Sequence, residues 1–255
     1  MDTRLQAFER LLNIMDVLRA KCPWDKKQTL ESLRYLSIEE MYELSDAILN
    51  NDMDQIKNEL GDIMLHLVFY AKIASETNQF DITDVLNGIC DKLIHRHPHI
   101  YGDIEASTEE EVKQNWEKLK LKEGKKSVLE GVPRSLPAMV KAIRIQEKVR
   151  GVGFDWDDID QVWEKVLEEL EELKVEIKAA DKLKTEQEFG DLLFSLINYS
   201  RFIEVNPEDA LERTNKKFIQ RFQQMEAILK EERKSLSDMT LSEIDIYWKQ
   251  VKKTT

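Results

Sequence analysis

The sequence predicts an all-α protein made of two tandem helical-bundle units, and three observations carry that reading. Glycine accounts for only 8 of 255 residues and proline for 5, too few turn formers for a β-sandwich or a glycine-looped α/β fold. Apolar residues recur at helical spacing through most of the chain. A set of acidic residues in the first half also returns in the second, each member displaced by the same 129 positions.

In chain order, Leu18-Arg19 stands ahead of Cys22-Pro23-Trp24-Asp25, a pattern echoed later by Val149-Arg150 ahead of Gly153-Phe154-Asp155-Trp156. Leu60, Ile63, Met64, Leu67, Val68 and Ala71 follow the i, i+3, i+4, i+7 rule of a one-faced helix. A turn near 50–54 sets that helix antiparallel to the preceding one, which carries Glu40 and Glu43. Capping boxes at Thr108-x-x-Glu111 and Thr240-x-x-Glu243 mark helix starts, and a tryptophan follows each threonine eight residues on, Trp116 and Trp248. The stretch 124–137, GKKSVLEGVPRSLP, reads as a linker between an N-terminal unit 1–123 and a C-terminal unit 138–255. Phe218, Phe222, Met225 and Leu229 supply a second apolar stripe near the end.

Net charge is −12, which disfavours a nucleic-acid groove, because phosphate backbones need a basic stripe. A small phosphate ligand stays open, since a divalent cation can mediate that contact. Cys22 and Cys90 lie far apart, giving neither a disulfide framework nor a zinc knuckle and suiting a reducing compartment. The start Met1-Asp2-Thr3-Arg4 lacks the apolar core of a signal peptide. The most apolar stretch, 63–74, is interrupted by His66 and Lys72 and falls short of the roughly 18 residues of a membrane span. The expectation is a soluble, cytoplasmic protein with no membrane partner.

The repeated acidic set is Glu40-x-x-Glu43 with Glu59-x-x-Asp62, matched by Glu169-x-x-Glu172 with Glu188-x-x-Asp191. Residues three apart share a helix face, so on two antiparallel helices the pairs converge. Carboxylates about 4 Å apart repel by roughly 4 kcal/mol per pair at an effective dielectric near 20. Either the acids protonate or a cation neutralises them, and an oxygen-only set selects a hard ion, Mg²⁺ or Mn²⁺. One isolated ExxE is usually a solvated helix face. Here the pattern occurs twice, and each ExxD runs into an apolar stripe. A di-iron bundle needs Glu-x-x-His, but Ile63, Lys92, Ile94 and Arg96 precede His66, His95, His97 and His99 by three. Gly61 and Gly190 each cost about 1 kcal/mol inside a helix, which predicts close approach of the facing helix or of a ligand.

Cations suggest what the metal would serve. Lys217 and Arg221 are four apart on a helix whose adjoining face carries Phe218 and Phe222, and Lys92 and Arg96 repeat that spacing. Such pairs suit a polyphosphate bridged by Mg²⁺, and Trp248 or Trp116 could stack on a base; ordinary surface or core roles are the alternative for each. Lys165 and Lys184 flank the second acidic set, where the first has Leu36 and Gln55, although Lys26, Lys27 and the histidines of 95–99 remain to the first unit. The C-terminal copy is therefore the expected working site.

A wider group of motifs now joins these. They are Cys22-Pro23-Trp24-Asp25-x-x-Gln28-Thr29, Glu39-Glu40-x-x-Glu43, Glu59-Leu60-Gly61-Asp62, Arg96-His97-Pro98-His99, Pro133-Arg134-Ser135-Leu136-Pro137-Ala138, Val152-Gly153-Phe154-Asp155-Trp156, and Glu188-Phe189-Gly190-Asp191 with Asn215-x-Lys217-Phe218. With them the sequence resembles the MazG-type nucleoside triphosphate pyrophosphohydrolases in their tandem two-domain form, over nearly the whole chain. Leu30, where a histidine is common, and Phe189, where leucine or methionine is usual, are departures.

The resemblance implies the all-α pyrophosphohydrolase fold, a homodimer, and Mg²⁺-dependent hydrolysis of nucleoside triphosphates to monophosphate and pyrophosphate, a broad house-cleaning of the nucleotide pool. It implies that Glu169, Glu172, Glu188 and Asp191 hold metal while Lys165, Lys184, Lys217, Arg221 and Trp248 contact nucleotide. A spare carboxylate, Glu168 or Glu39, could accept the proton of the attacking water, or simply face solvent. Two other readings stand beside this one: a non-catalytic helical dimer that binds nucleotide or a protein partner, and an all-α pyrophosphatase restricted to dUTP, dCTP or a phosphoribosyl nucleotide.

Overall fold

A computed structural model describes residues 2–102, 108, 111–112, 115 and 127–253. Its described residues are overwhelmingly helical and include no strand, as the composition requires. The chain divides into two compact units, Met1–Val112 and Lys113–Thr255. Trp116 and the first residues of the expected linker lie outside the described residues.

The first unit contains α1 (Thr3–Lys21), α2 (Leu30–Leu49), α3 (Met53–Ser75), α4 (Ile82–Arg96) and the single turn α5 (Pro98–Tyr101). Helix starts follow the capping rule: Asp2, Thr29, Asp52 and Asp81 each accept a backbone N–H of the first turn. Between α2 and α3 the chain reverses in three residues, with Asn51 at φ 54, a left-handed conformation that asparagine tolerates better than most residues. The hairpin expected near 50–54 is thus formed, and α2 packs along α3. Met15, Leu33, Val68 and Phe69 make the core, flanked by Phe8, Leu11, Leu36 and Tyr70.

The second unit contains α6 (Ala138–Arg150), α7 (Ile159–Ala179), α8 (Lys182–Phe202), α9 (Pro207–Glu231) and α10 (Leu241–Lys252). α7 and α8 form the equivalent hairpin, ended by Ala180 in the left-handed region and restarted by Asp181 as the cap of α8. The capping box predicted at Thr240 and Glu243 starts α10, and the one at Thr108 and Glu111 is likewise formed. Met225, Leu229 and Val251 form a core with Phe222 and Trp248 packed on it.

In both units an arginine fastens the loop that leads into the hairpin. Arg19 on α1 meets Glu76 through Nε and Nη2, both at 2.8 Å, and donates to the Gln28 carbonyl at 3.0 Å. Arg201 at the end of α8 grips both oxygens of Asp155, which Arg150 also approaches at 3.4 Å. The echo between 18–25 and 149–156 therefore marks an anchored loop in each copy, built from different ion pairs.

The apolar stripes are only partly covered. Val68 and Ala71 are buried, but Leu60, Met64 and Leu67 on α3 stay exposed, as do Phe189, Leu193 and Phe194 on α8 and Val85, Leu86, Ile89 and Leu93 on α4. Among the described residues no helix is long and apolar enough to cross a membrane, and both cysteines are free thiols.

Candidate functional site

The hairpins bring the predicted carboxylates together, three at a time. One ligand oxygen from each of Glu40, Glu43 and Glu59 lies within 4.8 Å of the others, and the same holds for Glu169, Glu172 and Glu188. Asp62 and Asp191 fall outside these groups of three and are exposed. They still act at a distance, since each helps to raise the pKa of a neighbouring glutamate.

The two groups of three differ in which member is buried. In the first it is Glu59 on α3, 2% exposed. Gln55, one turn earlier, donates to Glu59 Oε1, while Oε2 is buried with no hydrogen-bond donor. Burial first, then the charges of Asp62, Glu43 and Glu59, pushes the Glu40 carboxyl up to about 6, and Glu43 is raised for similar reasons. In the second the buried member is Glu169 on α7, 6% exposed. Lys165, one turn earlier, lies 2.8 Å from Glu169 and 2.9 Å from Glu168. Those two hydrogen bonds hold the ammonium well above its ordinary pKa. Glu188 is raised by burial and by Glu172, Glu169 and Asp191.

Both groups suit a hard divalent cation: every donor is a carboxylate oxygen, and an orphaned buried oxygen in one of them has no protein partner. The expected close approach of a facing helix at the two glycines is not present. A Cβ at Gly61 or Gly190 would meet nothing within 4 Å, so the facing helix does not approach these backbones. The open space beside the acids leaves ligand access as the remaining physical reason for a glycine there.

Other candidates are placed as follows. Lys184 approaches Glu176 at 3.9 Å, and Glu168 is exposed and paired with Lys165. α9 packs against α6 and α10 and carries exposed Lys217 with half-buried Arg221. Next to them Phe218 lies 6.1 Å from Phe222 in a stacked pair and 5.0 Å from the Trp248 ring. Cation and aromatic surface thus adjoin on α9, whose main packing partners are α6 and α10 and not the α7–α8 hairpin. Lys92 is exposed on α4 and Arg96 half-buried at its end, beside the paired rings of His97 and His99. Gln55 stands where the second set has Lys184, and its donation to Glu59 follows from the four-residue spacing on α3.

Comparison with known proteins agrees with this geometry. The profile of the MazG nucleotide pyrophosphohydrolase domain matches residues 28–101 and again 159–237, the segments that carry the two hairpins. The chain is 46% identical over 250 residues to the nucleoside triphosphate pyrophosphohydrolase/pyrophosphatase MazG of Thermotoga maritima, covering 96% of this chain and 95% of the relative. It is 40% identical over 258 residues to the nucleoside triphosphate pyrophosphohydrolase of Escherichia coli K12, with 98% of each covered.

Proposed function

The chain belongs to the MazG nucleotide pyrophosphohydrolase family, and from that premise we propose that it hydrolyses nucleoside triphosphates to monophosphate and pyrophosphate at the α7–α8 hairpin. The observation that carries the proposal is the convergence of Glu169, Glu172 and Glu188, with Lys165 paired to Glu169. These three, with Asp191 beside them, would hold Mg²⁺ or Mn²⁺. Bound there, the ion supplies charge neutralisation and Lewis acidity at the phosphoanhydride.

The chain's own residues do the rest. Lys217 and Arg221 bind the phosphate tail, and Phe218 with Trp248 offers an aromatic face to the base. Lys165 turns from Glu168 and Glu169 toward the incoming triphosphate. Its departure frees Glu168 to accept the water's proton. Stacking and phosphate contacts carry little base information, which fits broad substrate use. Free Cys22 and Cys90 suit a reducing cytoplasm.

The apolar rows Leu60, Met64 and Leu67 on α3 and Phe189, Leu193 and Phe194 on α8 are exposed, and a homodimer is the arrangement we assign to them. A purely monomeric mass by light scattering at micromolar concentration refutes that assignment.

Product analysis with mixed triphosphates and Mg²⁺ tests the reaction: monophosphate plus pyrophosphate is expected, and diphosphate plus phosphate, or no turnover, overturns it. Glu172→Ala should lower turnover at least 100-fold while Glu43→Ala retains most of it. The reverse pattern would move the working site to the N-terminal unit.

A further inference from the structure

The two carboxylate groups occupy equivalent places but stand in different electrostatic states. In the second, Lys165 Nζ sits 2.8 Å from Glu169 and 2.9 Å from Glu168, so an ammonium already supplies a positive charge and engages the buried member of the group. In the first, position 36 is a leucine packed on the Met15–Leu33–Phe69 core. The lysines of α3 are engaged elsewhere, Lys57 with Asp54 at 2.9 Å and Lys72 with Asp16 at 2.6 Å. Among the described residues only the neutral Gln55 donates to Glu59, and it satisfies one oxygen of two. A buried carboxylate oxygen without a donor is costly, and no lysine among the described residues is paired with its group of three acids.

We propose that the N-terminal group, Glu40, Glu43 and Glu59, takes up a divalent cation without nucleotide, whereas the C-terminal group does so only together with a triphosphate that draws Lys165 away. The inference rests on the metal reading of both groups given above. In the N-terminal unit no lysine among the described residues competes with an ion for the three carboxylates, so that unit takes up free divalent cation. In the C-terminal unit Lys165 competes for Glu169 until a triphosphate draws it away, so metal and nucleotide load together. Asp62 and Glu39 add negative charge to the first group, and His66 on α3, near Asp62, is a buried ring whose burial disfavours the cationic form.

Mn²⁺ titration of the metal-stripped full chain, followed by electron paramagnetic resonance of free Mn²⁺, separates the possibilities. Without nucleotide, one class of site is expected, lost in Glu59→Gln and retained in Glu169→Gln. Should Glu59→Gln fail to fold by circular dichroism, Glu43→Gln at an exposed position replaces it. Adding a non-hydrolysable α,β-methylene triphosphate should create a second class that Glu169→Gln removes. Lys165→Met should show that second class without nucleotide, where wild type shows none. Two equal classes without nucleotide, or uptake only with nucleotide, overturns this proposal and leaves the hydrolase reading intact. No uptake under any condition overturns both.

Discussion

Replacing Glu40 by glutamine should make the metal-free protein more stable at neutral pH, the reverse of the usual effect of altering a half-buried residue. Burial, followed by Asp62, Glu43 and Glu59, raises the Glu40 carboxyl from 4.5 to about 6. A folded-state value above the unfolded one means that the native state holds the proton more tightly. Stability is therefore unaffected below about pH 4.5 and is lost as pH rises through 6. The shift of about 1.5 units corresponds to roughly 2 kcal/mol. Solvent reaches part of this side chain, so about 1 kcal/mol is the expected yield, or about 3 °C in midpoint for a chain of this length. Differential scanning calorimetry in chelator at pH 7.5 and pH 4.5 measures it. Glu40→Gln should melt about 3 °C above wild type at pH 7.5 and level with it at pH 4.5. Saturating Mg²⁺ at pH 7.5 should reverse the order, because only wild type keeps the full ligand set. A midpoint at or below wild type at pH 7.5 without metal would refute the claim that these acids repel one another in the folded state.

Two further outcomes follow from the packing. Phe69, 2% exposed in the first core, should cost about 3–5 kcal/mol on replacement by alanine, read as a lowered denaturant midpoint with no change in the slope. Trp248→Ala should raise KM about tenfold with kcat within twofold, if its ring is the stacking face beside Phe218; Trp248→Phe should recover most of the loss, and a fall in kcat with unchanged KM would count against stacking.

Much of this architecture was legible because its signals are local. The helix-period stripe on α3, the capping boxes at Thr108 and Thr240, and the turn at 50–52 each depend on residues a few positions apart, and each formed. The repeated ExxE and ExxD sets were legible for the same reason, since same-face spacing on two helices suffices to make three of the four meet. What stayed hidden depends on partners far along the chain. Arg19 finds Glu76 57 residues away, and Arg201 finds Asp155 46 residues away; neither pair has a local pattern. Which glutamate becomes buried was hidden too, because the repeat gives both copies the same acids while the structure buries Glu169, beside Lys165, in one and Glu59, beside Gln55, in the other. The stripes gave helix faces correctly but not their cover, since periodicity cannot distinguish a core from a face left open.

The arginine fastenings bear on how such a repeat can age. Each hairpin is tied down by ion pairs drawn from its own half of the chain, Glu76 serving one and Asp155 the other. A drift in the acids of either copy therefore leaves its own scaffold standing, because the pairs that fix the loop are not those that would meet a ligand. Duplication under those terms permits one half to keep the chemistry while its twin tries another task.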